Sequence, residues 1–409
     1  MRFNTALLHG NFTSDGKTGA TTTPIYQSSS FKHGTAEELE NVFNGREPGY
    51  IYTRINNPSI EAFEMRIAYL EGGVGAVACA SGMAAVTLAL LNILKSGDEI
   101  VSGSGIFGGT HSLFKCFEDF GITARFAKDN SVGSFEECIN EKTRVIFVET
   151  IGNPRLDVPD IKALSELAHR FGIPLVVDST VTTPYLVKPI SLGADIVVHS
   201  TSKYINGSGN SIGGIIVDSG KFKWDINKYP SLKAYKKFGE FVYLAKLRKS
   251  LFKDFGACMS PFNAYLSSLG LETLALRMDR LCSNALGLAK SLQDNPKVVS
   301  VNYPGLNESE YYTLADEQFN GKFGAILTIR VGSKENAFKL INSLKYAANL
   351  ANIGDVRTLV IHPASTIYAT NNIEEKEIMG AHEDLIRISV GLEDIEDIVE
   401  DFTQALNMV

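Results

Sequence analysis

The sequence lacks most of the features that announce a function outright. It has no surplus of positive charge: 39 Lys and Arg stand against 46 Asp and Glu, a net charge of −7, which excludes a general nucleic-acid binder. Cysteine is scarce. The five residues (Cys79, Cys116, Cys138, Cys258, Cys282) are odd in number and form no CxxC pair, so their spacing indicates neither a zinc site nor a redox dithiol. Seven scattered histidines include no HExxH, and no metal is expected. The residues after Met1 run into Thr/Gly/Ser-rich sequence without an apolar signal core, so a cytoplasmic protein is expected. One uncharged stretch, 72–94, is long enough to test for a membrane span. Ser81-Gly82 interrupts it, and serine before a run of Ala, Leu and Met reads as a helix N-cap. A helix over 82–95 is only about 20 Å long, so a buried strand or turn followed by a buried helix is expected, with no membrane partner.

What is present is an alternation. Strands are expected at 99–102, 124–127, 144–149, 174–178, 195–199 and 214–218, with helices at 113–120 and 161–171. Strand, helix and strand in repetition imply an α/β domain with a largely parallel sheet, whose binding groups gather at the carboxyl ends of the strands. Residues 261–292 read as one long helical stretch. Strands at 323–331 and 385–390 and helices at 335–348 and 395–406 suggest a second, smaller α/β domain. The aperiodic first 60 residues either wrap the core or reach a neighbour. Residues 221–253 hold ten Lys/Arg against Asp225 and Glu240, a solvated basic face rather than a docking patch.

Two motifs mimic known chemistry. Gly103–Gly108 is a formal GxGxxG after a strand, with Asp129 about twenty residues on, as a nicotinamide oxidoreductase would have it. Gly109-Thr110-His111 is expected to continue that loop before any helix begins, and the glycines could then face any ligand. Gly209–Gly213 is a formal GxSxG, but its strand follows the serine instead of preceding it, which reverses a nucleophile elbow. His199, ending an apolar run, reads as a satisfied, half-buried residue.

A third constellation is more specific. In 195–204, DIVVHSTSKY, Lys203 follows a buried strand and a Ser/Thr cluster, and Asp178 ends another buried strand. An amine and a carboxylate at two strand ends of one sheet suit pyridoxal 5′-phosphate. The lysine forms the Schiff base, and the aspartate keeps the pyridine nitrogen protonated. The hydroxyls of Ser200 and Ser202, and the backbone N–H groups of Gly82 and Met83 at a helix start, can hold the phosphate. A surface lysine that merely follows a strand is the plainer alternative.

The stretches PIYQSSSF (24–31), YIYTRINNPS (50–59), ASGMAA (80–85), ETIGNP (149–154), VVDST (176–180), HSTSKY (199–204), GLETLALRMDR (270–280), NIGDVRTLVIHPAS (352–365) and LIRISVGLED (385–394) occur in order. Through them the chain resembles the Cys/Met-metabolism (trans-sulfuration) family of fold-type-I pyridoxal phosphate enzymes over nearly its whole length. The resemblance implies a large, mostly parallel seven-stranded sheet domain (61–275), a smaller C-terminal α/β domain (276–409), and an N-terminal segment (1–60) that reaches the neighbouring subunit's active site. It implies Lys203, Asp178 and Tyr52 as catalytic residues. Tyr52 and Arg54 would reach the neighbour's phosphate. Gly82, Met83, Phe107, Asn153, Asp178, Thr180, Ser200, Ser202 and Lys203 would contact the cofactor, and Asn153, Thr358 and Arg387 the substrate. Without the family in view, Arg387 in a strand would be a surface or interface ion pair and Tyr52 a packing residue. Phe107 stands where the family usually has tyrosine, and Thr366-Ile367-Tyr368 where it usually has Thr-His. Gly109, where methionine γ-lyases commonly carry cysteine, and the length of 220–260 favour synthesis. The activity implied is replacement of the γ-substituent of O-acetyl-L-homoserine by sulfur, in a homotetramer of active-site-sharing dimers, with methionine γ-lyase and cystathionine γ-synthase as the nearest rivals. The sulfur donor, including a protein-bound carrier, is left open.

Overall fold

A computed structural model describes residues 1–11 and 18–409; residues 12–17 of the N-terminal segment lie outside it. Seven strands form the larger sheet: β1 (Gly75–Cys79), β2 (Glu99–Ser102), β3 (Thr123–Phe126), β4 (Thr143–Glu149), β5 (Leu175–Asp178), β6 (Ile196–Ser200) and β7 (Gly214–Asp218). Their order is β1-β7-β6-β5-β4-β2-β3, parallel except for β7, which runs antiparallel to both neighbours. The inner strands are near-continuous apolar runs because both faces are covered: Ile146 and Val148 of β4 enter one core, Val145 and Phe147 the other.

Helix α1 (Pro58–Glu71) begins at Asn57, whose side chain accepts from Ser59 N, and stops at Gly72 in the left-handed region, φ 79°. Helix α2 (Gly82–Leu91) begins at Ser81, whose hydroxyl accepts from Ala84 N at 3.1 Å. Helix α3 spans Gly108–Glu118. This corrects one expectation: no loop of Gly109-Thr110-His111 precedes the helix, because it starts at Gly108 itself. The stretch 261–292 is likewise two helices, α4 (Pro261–Glu272) and α5 (Leu274–Gln293). Among the described residues no helix is long and apolar enough to cross a membrane.

The second sheet has five strands: β8 (Ser300–Asn302), β9 (Ile326–Arg330), β10 (Ala348–Asn349), β11 (Leu359–Ile361) and β12 (Leu385–Ser389), in the order β10-β11-β12-β9-β8. Only β10–β11 is parallel. The helix expected over 335–348 ends at Ser343, and the chain enters β10 instead. Helix α6 (Ile395–Leu406) lays its apolar side on the same core.

The basic segment is not wholly a solvated face. Lys246 is buried and donates to Asn92 O at 2.5 Å and Asn92 Oδ1 at 3.2 Å, at the carboxyl end of α2. Arg248 turns inward to Glu64 and to Ala76 O. His199 is fully buried instead of half-buried, with Nε2 2.7 Å from Glu71 Oε1.

Candidate active site

Parallel strands bring unlike residues to one edge. The carboxyl ends of β4, β5 and β6 supply Glu149, Asp178 and Ser200, and the chain leaving β6 delivers Ser202 and Lys203. These residues line a cavity of about 320 Å³, of the size that holds small-molecule ligands. The amino end of α2 closes one side with Ser81, Gly82 and Met83. Phe107 and Asn153 cover another, and Asn352, Ile367 and Arg387 arrive from the second half of the chain.

The amino end of α2 is shaped for close approach. A Cβ on Gly82 would lie 2.6 Å from Ser200 Cβ, so only glycine lets the helix start sit against that serine. Gly214 is held to glycine from beneath, where a Cβ would lie 2.1 Å from Ser81 O. Ser202 Oγ accepts from Gly213 N at 3.0 Å. Of the GxSxG decoy, Gly213 supports Ser202 and Gly209 packs on Asp355, where a Cβ would lie 2.5 Å from Oδ2. Gly105 and Gly108 of the GxGxxG decoy are likewise backed by protein: a Cβ on Gly105 would lie 2.1 Å from Asp157 Oδ1, and one on Gly108 2.8 Å from the Tyr368 ring.

Asp178 is buried, which pushes its carboxyl up, while the hydroxyl and N–H of Thr180 donate to it at 2.5 and 2.9 Å and oppose that rise. Thr180 Oγ1 accepts from Ser200 N at 2.8 Å, which ties the Asp178 support to the Ser200 side of the cavity. Beside Asp178 in register stands Glu149, whose carboxylate accepts from Phe107 N at 2.7 Å. Burial and the neighbouring Asp178 raise Glu149 well above the usual carboxylate range.

Lys203 donates from Nζ to Asn352 Oδ1 at 2.5 Å. Burial, helped by the charge of Arg387, lowers its amine to about 8. Arg387, 3% exposed, donates from Nη1 to Asn153 Oδ1 at 3.1 Å and from Nη2 to Asn352 O at 3.0 Å. It has no acidic partner among the described residues, its Nε has no acceptor, and burial lowers it only to about 10, so it stays cationic. Tyr368 donates its hydroxyl to Asn153 O at 2.8 Å and braces the same loop.

Three of the residues singled out by sequence are not brought to this cavity. Tyr52 is 42% exposed. The Arg54 guanidinium lies 5.5 Å over its ring and donates to Lys253 O. Thr358 is buried against Glu393, donating from Oγ1 at 2.9 Å, and does not line the cavity. Sequence reading missed Glu149 and Asn352. For Glu149 a signal existed, since it ends a buried strand as Asp178 does.

Pyridoxal phosphate fits these residues. The glycine cradle under Ser200 suits a phosphate, the buried Asp178 a protonated pyridine, and the unpaired Arg387 a substrate carboxylate. Comparison with known proteins gives the same reading. An O-acetyl-L-homoserine sulfhydrylase of Leptospira meyeri is 42% identical over 99% of this chain and 96% of its own length. A homocysteine synthase of Schizosaccharomyces pombe is 42% identical over 99% and 98%. A solved Campylobacter jejuni structure assigned as an O-acetylhomoserine (thiol)-lyase carries N′-pyridoxyl-lysine-5′-monophosphate. It matches with a TM-score of 0.94 at 32% identity, covering 100% of both chains. Cystathionine γ-lyase of Lactobacillus plantarum, complexed with L-serine, matches at 0.88 and 30%, over 100% and 99%. The family described as Cys/Met metabolism PLP-dependent enzyme matches residues 4–407, which sets the nicotinamide reading aside, and the chain belongs to that family.

Proposed function

We infer that the chain exchanges the acetoxy group at Cγ of O-acetyl-L-homoserine for sulfur, giving L-homocysteine and acetate in methionine biosynthesis. The observation that carries this is Arg387: a buried cation facing the Lys203 cavity with no acid of its own, which an amino-acid α-carboxylate satisfies bidentately. Relatives named for this activity are 42% identical over almost their full length.

Pyridoxal phosphate, when bound, supplies the aldehyde that takes the substrate amine and the ring that accepts the electron pair freed at Cα. The amino end of α2, with Ser200 and Ser202, holds the phosphate. Asp178, whose burial-driven rise Thr180 opposes, would hold the pyridine nitrogen protonated, with the more strongly raised Glu149 beside it. Phe107 would cover the ring, and Asn153 would contact the ring hydroxyl and the substrate. Arg387 orients the carboxylate. The amine of Lys203, steadied by Asn352 and lowered to about 8, removes the α-proton and moves a proton at Cβ. Acetate then leaves from Cγ, and the sulfur nucleophile adds there.

Tyr52 and Arg54, placed outside their own cavity, serve the neighbouring subunit's phosphate, and the Tyr52 hydroxyl does the proton transfer that Phe107 cannot. A homotetramer of active-site-sharing dimers, in the cytoplasm, is part of the same reading. The N-terminal segment would reach across through Tyr52 and Arg54, 61–275 would carry the cofactor, and 276–409 would supply Arg387 for the substrate. Free sulfide is the donor to try before a protein-bound carrier. The test mixes cofactor-loaded protein with O-acetyl-L-homoserine, with and without sulfide, and measures homocysteine and 2-oxobutanoate. Homocysteine that depends on sulfide supports the reading. Rapid 2-oxobutanoate without sulfide overturns it in favour of a lyase. Lys203→Ala is expected to lower the homocysteine rate by at least about 10³-fold.

A further inference from the structure

Cys79 and Cys258 lie far apart in sequence and face each other in the fold. Cys79 ends β1, and Cys258 follows the Lys253–Phe255 turn; the two form an isolated antiparallel bridge. Ala80 N donates to Ala257 O at 2.8 Å, so the ladder bond flanks the cysteines and leaves them as a non-hydrogen-bonded pair. In such a pair the Cα atoms lie about 4.5 Å apart with side chains on the same side, inside the roughly 4.4–6.8 Å window that a disulfide spans. Both side chains enter the same apolar layer, with Val77. Both are free thiols, and among the described residues the Cys79 thiol has only Val77 O, at 3.6 Å, as a hydrogen-bond partner.

We propose that Cys79 and Cys258 form a reversible intramolecular disulfide, a modification site for small-molecule disulfides of the oxidised-glutathione type. Exposure sets the order of events. Cys258 is partly exposed and Cys79 fully buried, so Cys258 meets the reagent and Cys79 resolves it. The Cys258 thiolate attacks one sulfur of the reagent, forms a mixed disulfide and expels one glutathione thiolate. The Cys79 thiolate then attacks Cys258 Sγ and expels the second. Two protein thiols are oxidised, two glutathiones are formed, and each thiol proton ends on a departing thiolate.

The surroundings make the step slow. Burial raises both thiols; Glu64 raises Cys79 further, while Arg248 opposes it there and Arg54 opposes it at Cys258. Exchange therefore quickens with pH, and in a reducing compartment the bond accumulates only under oxidative load. The link joins the strand that enters the Ser81 cradle to the segment whose Lys253 carbonyl receives Arg54.

The test incubates the cofactor-loaded protein with graded ratios of oxidised to reduced glutathione, quenches with acid, alkylates after unfolding and maps the peptides. Cys79 and Cys258 should lose alkylation together, at one midpoint independent of protein concentration, with a single peptide linking them. Excess reduced glutathione should restore both. In Cys258→Ser, Cys79 should stay fully alkylatable at ratios that protect it in the wild type. A stable glutathione adduct on Cys258 with Cys79 still free, or a link from either residue to another cysteine, would overturn the proposal. The wild-type mapping decides the matter even if the variant fails to fold, and it does not depend on which reaction the cavity performs.

Discussion

Two buried arginines show how this molecule separates support from function. Burial lowers each guanidinium to about 10. Arg277 of α5 has an acceptor at every nitrogen: it donates to Tyr204 O at 2.6 Å, Ile205 O at 3.2 Å and Gly270 O at 2.6 Å, and from Nε to Thr273 Oγ1 at 3.2 Å. It pins the segment just after Lys203 to the junction of α4 and α5. Arg387 of β12 is left with an unused Nε and two neutral acceptors. A buried cation bonded at each nitrogen holds backbone; one with a nitrogen left over is the one proposed to hold a ligand.

The sharpest way to break that contrast is Arg387→Ala. It should lower kcat/KM for O-acetyl-L-homoserine by about 10³-fold, on the order of 4 kcal/mol. The same change removes an incompletely satisfied buried charge, so the unfolding temperature should hold or rise. A clear fall in that temperature, with unchanged kinetics, would place Arg387 with the structural arginine.

Arg277→Ala should do the opposite. Several buried carbonyls lose their donor, and about 3 kcal/mol of stability should go, read from denaturant midpoints, while KM changes little.

Asn352→Asp sharpens the comparison on the amine side. Lys203 works as a base in its neutral form, so kcat should climb with pH towards a plateau above about 8, the value to which burial brings it. A carboxylate at position 352 would favour the ammonium and raise that value, moving the limb to higher pH and lowering the neutral-pH rate by about tenfold. A limb that stays put would mean Asn352 does not address the reacting amine.

The mildest change is Tyr368→Phe. It removes one hydrogen bond behind Asn153 and should raise KM by about fivefold, roughly 1 kcal/mol, with little effect on kcat.

The layout of the larger sheet was legible because its inner strands are buried on both faces and stand out as short apolar runs, unlike the edge strand β3. Lys203 and Asp178 were legible as polar residues ending such runs, and Arg387 through the family motif around it. Glu149 carries the same local mark as Asp178 and lies beside it in register, yet register is invisible until strands are paired. Asn352 has no local mark at all, since its link to Lys203 spans most of the second half of the chain. The break between α4 and α5 is also tertiary. Gly270 packs on the backbone of Ile205 and Asn206, where a Cβ would come within 2.5 Å, and neither periodicity nor propensity records that contact.

The loop around Asn153 receives Arg387 from one sheet and continues β4 of the other, with Tyr368 bonded to its carbonyl. A carboxylate seated on Arg387, as proposed, would act as a rivet between the two sheets, which already share one apolar core. Cooperative melting depends on how firmly such parts are coupled. With an amino acid bound, heating should give one sharp transition for the whole chain, and saturating ligand should narrow it as well as raise it.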